Sequence, residues 1–221
     1  MMYILGLFIL AFSVLTTIDA ASKPADKKLR VGILVYDDVY LLDFTGPLEV
    51  FFDTELEDGS KGFEVFLVAP ENKNIRAHTG TLISPDYNID NCPPIDILVV
   101  PGGNLNLSNQ NPKVSDFILK TEKQCQILMS VCTGAFILAD LGILNGKEAT
   151  TWYGAKQNLQ KKYPEIRISD SRFTDNGKII TTAGISAGID GSLYVVGRIF
   201  GEAIMKKTAK YLEWELKDST N

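Results

Sequence analysis

The sequence predicts an α/β domain with a mostly parallel sheet covered by helices on both faces. Short apolar runs alternate with helix-like segments, which is typical of parallel strands joined by helices. The 221 residues are 45% hydrophobic and 22% charged, as is ordinary for a soluble globular protein. A chain of this length is expected to form one domain with its own core.

The elements follow from apolar runs and from the turn residues between them. We predict strands at Leu29–Tyr36, Phe63–Ala69, Ile95–Pro101, Cys125–Val131, Arg167–Thr174 and Lys178–Thr182. Asp175-Asn176-Gly177 separates the last two and predicts a hairpin. We predict helices at Asp43–Phe52, Pro112–Lys123, Thr133–Leu141, Trp152–Lys162 and Ser186–Trp214. Turn residues between 78 and 88 predict a short hairpin or loop.

The first residues predict a targeting segment. Met1 to Ile18 contains no charged side chain, and small residues follow it. We interpret 1–21 as a secretory signal peptide, 22–28 as a linker and 29–217 as the folded domain, so the protein is expected to be exported. An uncleaved membrane anchor is the alternative. Once 1–21 is removed, no membrane contact is expected.

Composition excludes several classes of function. The net charge is −5, so no basic excess exists to bind nucleic acid. Three cysteines are too few for a disulfide scaffold. They stand apart at 92, 125 and 132, and only one histidine is present, so we expect no metal and no other cofactor. Cys92 and Cys125 start neighbouring strands, which allows either a disulfide or two separate thiols.

Cys132 is the leading candidate for a nucleophile. It lies between a buried strand and a helix that begins Thr133-Gly134. Such a sharp turn exposes a side chain above the sheet, and the helix N-terminus is expected to stabilise the thiolate. The amides of Thr133 and of Gly102-Gly103, at the next strand end, are expected to form an oxyanion hole. A buried cysteine acting as a small hydrophobe is the alternative.

Four segments in this order resemble the ThiJ/PfpI superfamily. They are VGILVYDDVYLLDFTGPLEVF at 31–51, DILVVPGG at 96–103, SVCTGAFILADLGILNGKEATT at 130–151 and ITTAGISAGIDGSL at 180–193. The resemblance implies a glutamine amidotransferase-like domain, that is, a flavodoxin-like three-layer sandwich with a nucleophile elbow. Within the superfamily the pattern is most similar to isocyanide hydratases and to the N-terminal domains of AraC-type regulators.

The resemblance also implies roles for individual residues. Cys132 would attack an isocyanide and Asp43 would act as general acid and base, with Thr133 bonding near the sulfur or Asp43. On the residues alone, Asp43 is equally well explained as a helix N-cap. Gly102, Gly103, Gly134 and Asp190 are expected to line the pocket, Asp190 alternatively being an early-turn carboxylate. A small-molecule substrate and a homodimer are implied.

Two departures from the family pattern keep alternatives open. Many relatives have Cys-His-Gly at the elbow, where this chain has Cys132-Thr133-Gly134, and the residue after Thr151 is Trp152 rather than a frequent histidine. The only histidine, His78, lies in a predicted loop. A glyoxalase or deglycase acting on reactive carbonyls is therefore a second hypothesis. A non-catalytic protein that senses oxidation or binds small molecules through Cys132 is the third.

Overall fold

A computed structural model describes residues 28–103 and 111–216. The strands are β1 (Leu29–Leu34), β2 (Phe63–Ala69), β3 (Ile75–Arg76), β4 (Leu82–Ile83), β5 (Tyr87–Asn88), β6 (Ile97–Val100), β7 (Ile127–Val131), β8 (Glu148–Ala149), β9 (Arg167–Ile168), β10 (Phe173–Asp175) and β11 (Ile179–Thr182). The helices are α1 (Leu41–Asp53), α2 (Pro112–Gln124), α3 (Gly134–Asp140), α4 (Lys156–Lys162), α5 (Ala187–Phe200) and α6 (Glu202–Tyr211). The targeting segment predicted at 1–21 lies outside the described residues.

Within those ranges, one sheet has seven strands in the order β10-β11-β7-β6-β1-β2-β5. All neighbours pair in parallel except β10 and β11. The central strands β6 and β7 are buried at every residue, which explains why their sequences are uninterrupted apolar runs. The predicted α/β class with a mostly parallel sheet is confirmed.

The connections place helices on both faces of this sheet. The chain moves in one direction along the sheet from β1 through α1 to β2, and in the opposite direction from β6 through α2 to β7. Because parallel crossovers are right-handed, α1 and α2 cover opposite faces. Helix α5 packs beside α1, where Gly46 leaves room for Ile189. The resulting three layers match the predicted sandwich.

Three predicted elements differ from the structure. The run 167–174 is two short strands, because 169–172 turns away and β9 pairs with β8 in a separate small sheet. The predicted helix at 152–162 opens with a 3-10 turn, Tyr153–Ala155, before α4. The long C-terminal helix is interrupted at Gly201, whose φ of 92° is incompatible with a continuous α-helix.

In residues 28–103 and 111–216, no helix combines the length and the apolar character needed to cross a bilayer.

Candidate active site

Cys132 occupies a strained turn at the carboxyl end of β7. Its φ is +57°, a left-handed conformation that is uncommon for a residue other than glycine. Backbone bonds hold it there, since its amide donates to the carbonyl of Ala183 at 2.9 Å. The Thr151 hydroxyl donates to the Cys132 carbonyl at 2.8 Å. Strain of this kind persists only where surrounding contacts enforce it, and it is common at functional sites.

Asp43 lies in the first turn of α1 and is fully buried. The helix begins at Leu41, two residues before the predicted start. The N-cap position belongs to Tyr40, so the capping role considered for Asp43 is wrong. Asp43 Oδ2 accepts a hydrogen bond from the Gly102 amide at 3.1 Å. Oδ1 is buried with no hydrogen-bond partner in the described part of the chain.

The carboxyl and the thiol shift each other's protonation. Burial raises the pKa of Asp43 to about 6, against the lowering effect of hydrogen bonds from the Cys132 thiol and the Gly102 amide. Burial, followed by the Asp43 charge, raises the pKa of Cys132 to about 12. The Asp43 charge therefore favours the protonated form of the thiol. The expected low thiol pKa is wrong, because burial and a neighbouring carboxylate outweigh the N-terminus of a seven-residue helix.

The predicted oxyanion hole is arranged differently. The Gly102 amide is bonded to Asp43, and the Gly103 amide donates to Thr133 Oγ1 at 3.2 Å. These two amides position the acid and the threonine rather than standing free for an anion. The amides that bond the sulfur belong to Thr133 and Ile185. Both favour the charged form of the thiol, so they are suited to stabilise negative charge as it develops there.

The two glycines are required by close packing. A Cβ at position 102 would lie 2.6 Å from both Asp43 Oδ2 and Thr133 Oγ1. A Cβ at position 134 would lie 2.1 Å from the Val100 carbonyl oxygen. Gly134 therefore lets α3 approach the end of β6, as a small residue at this position is expected to do, and its place in the pocket lining stays a prediction.

Sequence reasoning missed two residues of the site. Ile185 has φ of +53°, which is an outlier for a β-branched residue, and it directs its amide at the sulfur. Tyr36 is buried, and its hydroxyl donates to the Pro101 carbonyl at 2.7 Å. The charges of Asp43 and Cys132 add to burial in raising the pKa of Tyr36. Both lie in segments that carry the family resemblance, at 31–51 and 180–193, but nothing local gives either a role, since both act through contacts distant in sequence.

The remaining predicted site residues have other contacts. One oxygen of Asp190 is engaged by Arg172, and the other accepts from Trp214 Nε1 at 2.9 Å. Both carboxylate oxygens of Asp190 therefore have partners, and Arg172 also donates to Ser186 Oγ at 3.2 Å. His78 is exposed, and its ring lies 4.6 Å from the ring of Tyr40.

All three cysteines are free thiols, so the possible Cys92–Cys125 disulfide is not formed. The Cys125 thiol instead faces the carbonyl of Glu122 at 3.7 Å. Cys92 is half-buried at the edge of a separate cleft beside α2. Within residues 28–103 and 111–216, no group of three or more His, Cys, Asp or Glu side chains is arranged to hold a metal ion.

Proteins of known sequence resemble this chain over most of its length. Isonitrile hydratase from Pseudomonas putida is 33% identical over 174 residues, which cover 78% of this chain and 73% of the relative. The HTH-type transcriptional regulator GbdR of Pseudomonas aeruginosa is 24% identical across 84% of this chain, although the match spans only 50% of the regulator.

Solved structures share the fold. A ThiJ/PfpI family protein from Pseudomonas syringae superposes with a TM-score of 0.76 at 22% identity, covering 96% of this chain and 85% of that one. Drosophila melanogaster DJ-1beta superposes with a TM-score of 0.73 at 18% identity, covering 85% and 99%. The model of the DJ-1/PfpI family matches residues 29–196. This chain therefore belongs to the DJ-1/PfpI family.

Proposed function

We propose that the protein is a cysteine-dependent isocyanide hydratase, which converts an isocyanide and water into an N-substituted formamide. One observation carries the proposal: Cys132 stands at a strained strand-to-helix turn and is buried beside the Asp43 carboxyl, which can exchange a proton with the thiol. The identity with isonitrile hydratase from Pseudomonas putida supports the choice of substrate. No cofactor enters the mechanism below.

The first half of the reaction needs a neutral thiol and an adjacent base. The terminal carbon of R–N≡C must gain both a sulfur and a hydrogen. The Cys132 sulfur forms the new C–S bond while the thiol proton passes through the Asp43 carboxylate to the same carbon. The product is the thioimidate R–N=CH–S–Cys132. A thiol with a high pKa is no obstacle here, because its proton is a reactant.

The second half returns the enzyme to its starting state. Asp43 takes a proton from water as the hydroxyl adds to the thioimidate carbon, and it passes that proton to the nitrogen. The C–S bond then breaks as the carbonyl of R–NH–CHO forms, and the hydroxyl proton moves through Asp43 to the sulfur. The Thr133 and Ile185 amides stabilise the departing sulfur as it gains charge. One water is consumed and no electrons are gained or lost.

The same observations argue against the other hypotheses. Redox-sensing cysteines are exposed and carry a lowered pKa, whereas Cys132 is 4% exposed and its pKa is raised. A glyoxalase or deglycase that relies on a histidine base is not supported, because no histidine lies in the described part of this site. The single histidine, His78, is exposed and packs on Tyr40.

The test is turnover of an isocyanide by the purified protein, with the formamide quantified by chromatography. We expect wild-type turnover that is abolished in Cys132→Ala and unchanged in Cys125→Ala, the matched control at the other end of β7. If wild type and Cys125→Ala give no formamide from either alkyl or aryl isocyanides, the proposal is wrong.

We further propose that the protein is exported and forms a homodimer. The uncharged run 1–18 followed by small residues supports export. Expression with the natural N-terminus, followed by N-terminal sequencing, should give a chain that starts near residue 21 or 22. Sedimentation equilibrium should give twice the mass of the processed chain. An intact N-terminus in the membrane fraction would contradict export with cleavage, and a monomer would contradict the homodimer.

A further inference from the structure

A cleft of about 480 Å³ lies against the segment 183–186, which bonds Cys132. Its other lining residues are Trp152, Tyr153, Lys156, Asp170 and Arg172, and we call it the Trp152 cleft. Its volume falls within the range of pockets that bind small molecules. Pocket volume alone does not identify a ligand, so the occupant must be argued from the walls.

One wall of the Trp152 cleft is bonded directly to Cys132, and a second wall follows a residue that is bonded to it. The segment 183–186 accepts the Cys132 amide at Ala183 and directs the Ile185 amide at the sulfur. On the other side, the Thr151 hydroxyl donates to the Cys132 carbonyl, and Trp152 is the next residue. An isocyanide is linear, so a carbon held at the sulfur places its substituent some distance from Cys132. The segment 183–186 and Trp152 are close enough to Cys132 to contact that substituent.

The aromatic wall is held in place. A Cβ at position 184 would lie 2.5 Å from Trp152 Cδ1, and one at position 154 would lie 2.6 Å from Cζ3 and Cη2. The indole therefore lies against two glycines that leave it room. Tyr153 packs edge-on, with ring centroids 5.0 Å apart. Trp152 is still 38% exposed, so part of its surface remains open to a ligand.

The charges of the cleft are paired. Lys156 Nζ lies 3.0 Å from Asp170 Oδ1. Arg172 pairs with Asp190 and bonds Ser186. Each lining cation therefore has its own carboxylate, and an anionic ligand would have to compete with it. Besides these paired charges, the cleft offers the apolar and aromatic surface of Trp152, Tyr153 and Ile185 to a substrate.

We propose that the Trp152 cleft binds a neutral aromatic substituent, so that aryl isocyanides are the preferred substrate class. The preference for aryl isocyanides rests on the proposed function, whereas binding of the aromatic group does not. The ring would pack against Trp152, Tyr153 and the exposed Ile185 side chain while the isocyanide carbon reaches Cys132.

The binding test uses the fluorescence of Trp152. The chain has two tryptophans, and Trp214→Phe leaves Trp152 as the sole reporter. We expect N-phenylformamide, a stable product analogue, to change this fluorescence and to bind about 3- to 10-fold more tightly than N-cyclohexylformamide. Adding Trp152→Leu should weaken binding of the phenyl compound, measured by calorimetry, by a similar factor. Adding Tyr211→Leu, a distant exposed aromatic, should not weaken it.

Turnover separates the two proposals. In wild type, kcat/KM for phenyl isocyanide should exceed that for cyclohexyl isocyanide by a similar factor, and Trp152→Leu should remove the difference. Formamide production without aryl preference in binding or turnover would overturn the cleft proposal and leave the hydratase intact. Aromatic binding without turnover of any isocyanide would overturn the hydratase and leave the binding site intact.

Two other results would overturn the cleft proposal. Tighter binding of 4-formamidobenzoate than of N-phenylformamide would show an anion site. A change in association state in Trp152→Leu, with no change in formamide binding, would show that a second copy of the chain covers the cleft.

Discussion

Strand β7 is flanked by a cysteine at each end, and the two differ in what surrounds them. Burial raises the pKa of Cys125 to about 11 and that of Cys132 to about 12. Cys125 has an extended backbone and faces a carbonyl, whereas Cys132 has φ of +57° and faces a carboxylate and two amides. A low pKa therefore does not distinguish the candidate nucleophile. The presence of a group that can take and return its proton does.

Removing the carboxylate that distinguishes Cys132 from Cys125 is expected to affect turnover most. Asp43→Asn removes the proton acceptor and makes the environment of Cys132 more like that of Cys125. We expect isocyanide turnover to fall about 10²- to 10⁴-fold. In wild type, kcat/KM should rise with pH to a plateau with an apparent pKa of about 6, because the ionised carboxyl group is required. A flat profile from pH 5 to 8, or activity in Asp43→Asn near that of wild type, would contradict this role.

The same substitution should stabilise the fold. A raised folded-state pKa means that the Asp43 carboxyl favours the folded state when protonated. Its contribution is complete below about pH 4 and is lost as the pH rises through about 6. At pH 7.5, Asp43→Asn should raise the free energy of unfolding by about 1–3 kcal/mol, with a smaller gain at pH 4.5. Urea denaturation at pH 7.5 and 4.5 measures these free energies of unfolding, with Glu57→Gln as an exposed control. An equal gain in stability at the two pH values would exclude titration of Asp43 as the cause.

Alkylation compares the two thiols directly. Both should react with iodoacetamide at rates that keep rising through pH 9, without a plateau near neutrality, since both pKa values are raised. Asp43→Asn should speed modification of Cys132 at pH 7.5 about 10-fold and leave Cys125 unchanged, because only Cys132 loses a neighbouring negative charge. Peptide mass spectrometry assigns the sites. Equal changes at both would indicate general loosening of the fold.

The smallest effect is expected at Tyr36, which we interpret as a positioning residue. Tyr36→Phe removes the bond to Pro101, next to the Gly102 amide that holds Asp43. Turnover should fall about 3- to 10-fold, because a lost hydrogen bond of this kind costs about 0.7–1.4 kcal/mol. The pH midpoint set by Asp43 should shift upward as the Gly102 bond loosens. Tyr194→Phe, whose hydroxyl bonds Asp175, should change neither turnover nor midpoint.

The local parts of this site could be predicted from sequence, and the non-local parts could not. Cys132, Thr133 and Gly134 adjoin one another at a strand end, so alternating apolar runs were enough to find the turn. Ile185 and Tyr36 reach the site only through pairing of β11 with β7 and through packing beneath 101–103. The direction of the Cys132 pKa shift was likewise out of reach, because it depends first on how deeply the fold buries the thiol and then on the Asp43 charge beside it.

The close packing of Trp152 has a consequence for sequence divergence within this family. An indole at this position requires glycine at both 154 and 184, since a Cβ at either would meet the ring at 2.5–2.6 Å. The three positions are therefore epistatic. Alanine at 184 should be deleterious in this chain and neutral in a relative with a small residue at position 152. Among homologues, we expect glycine at 154 and 184 to covary with tryptophan at 152.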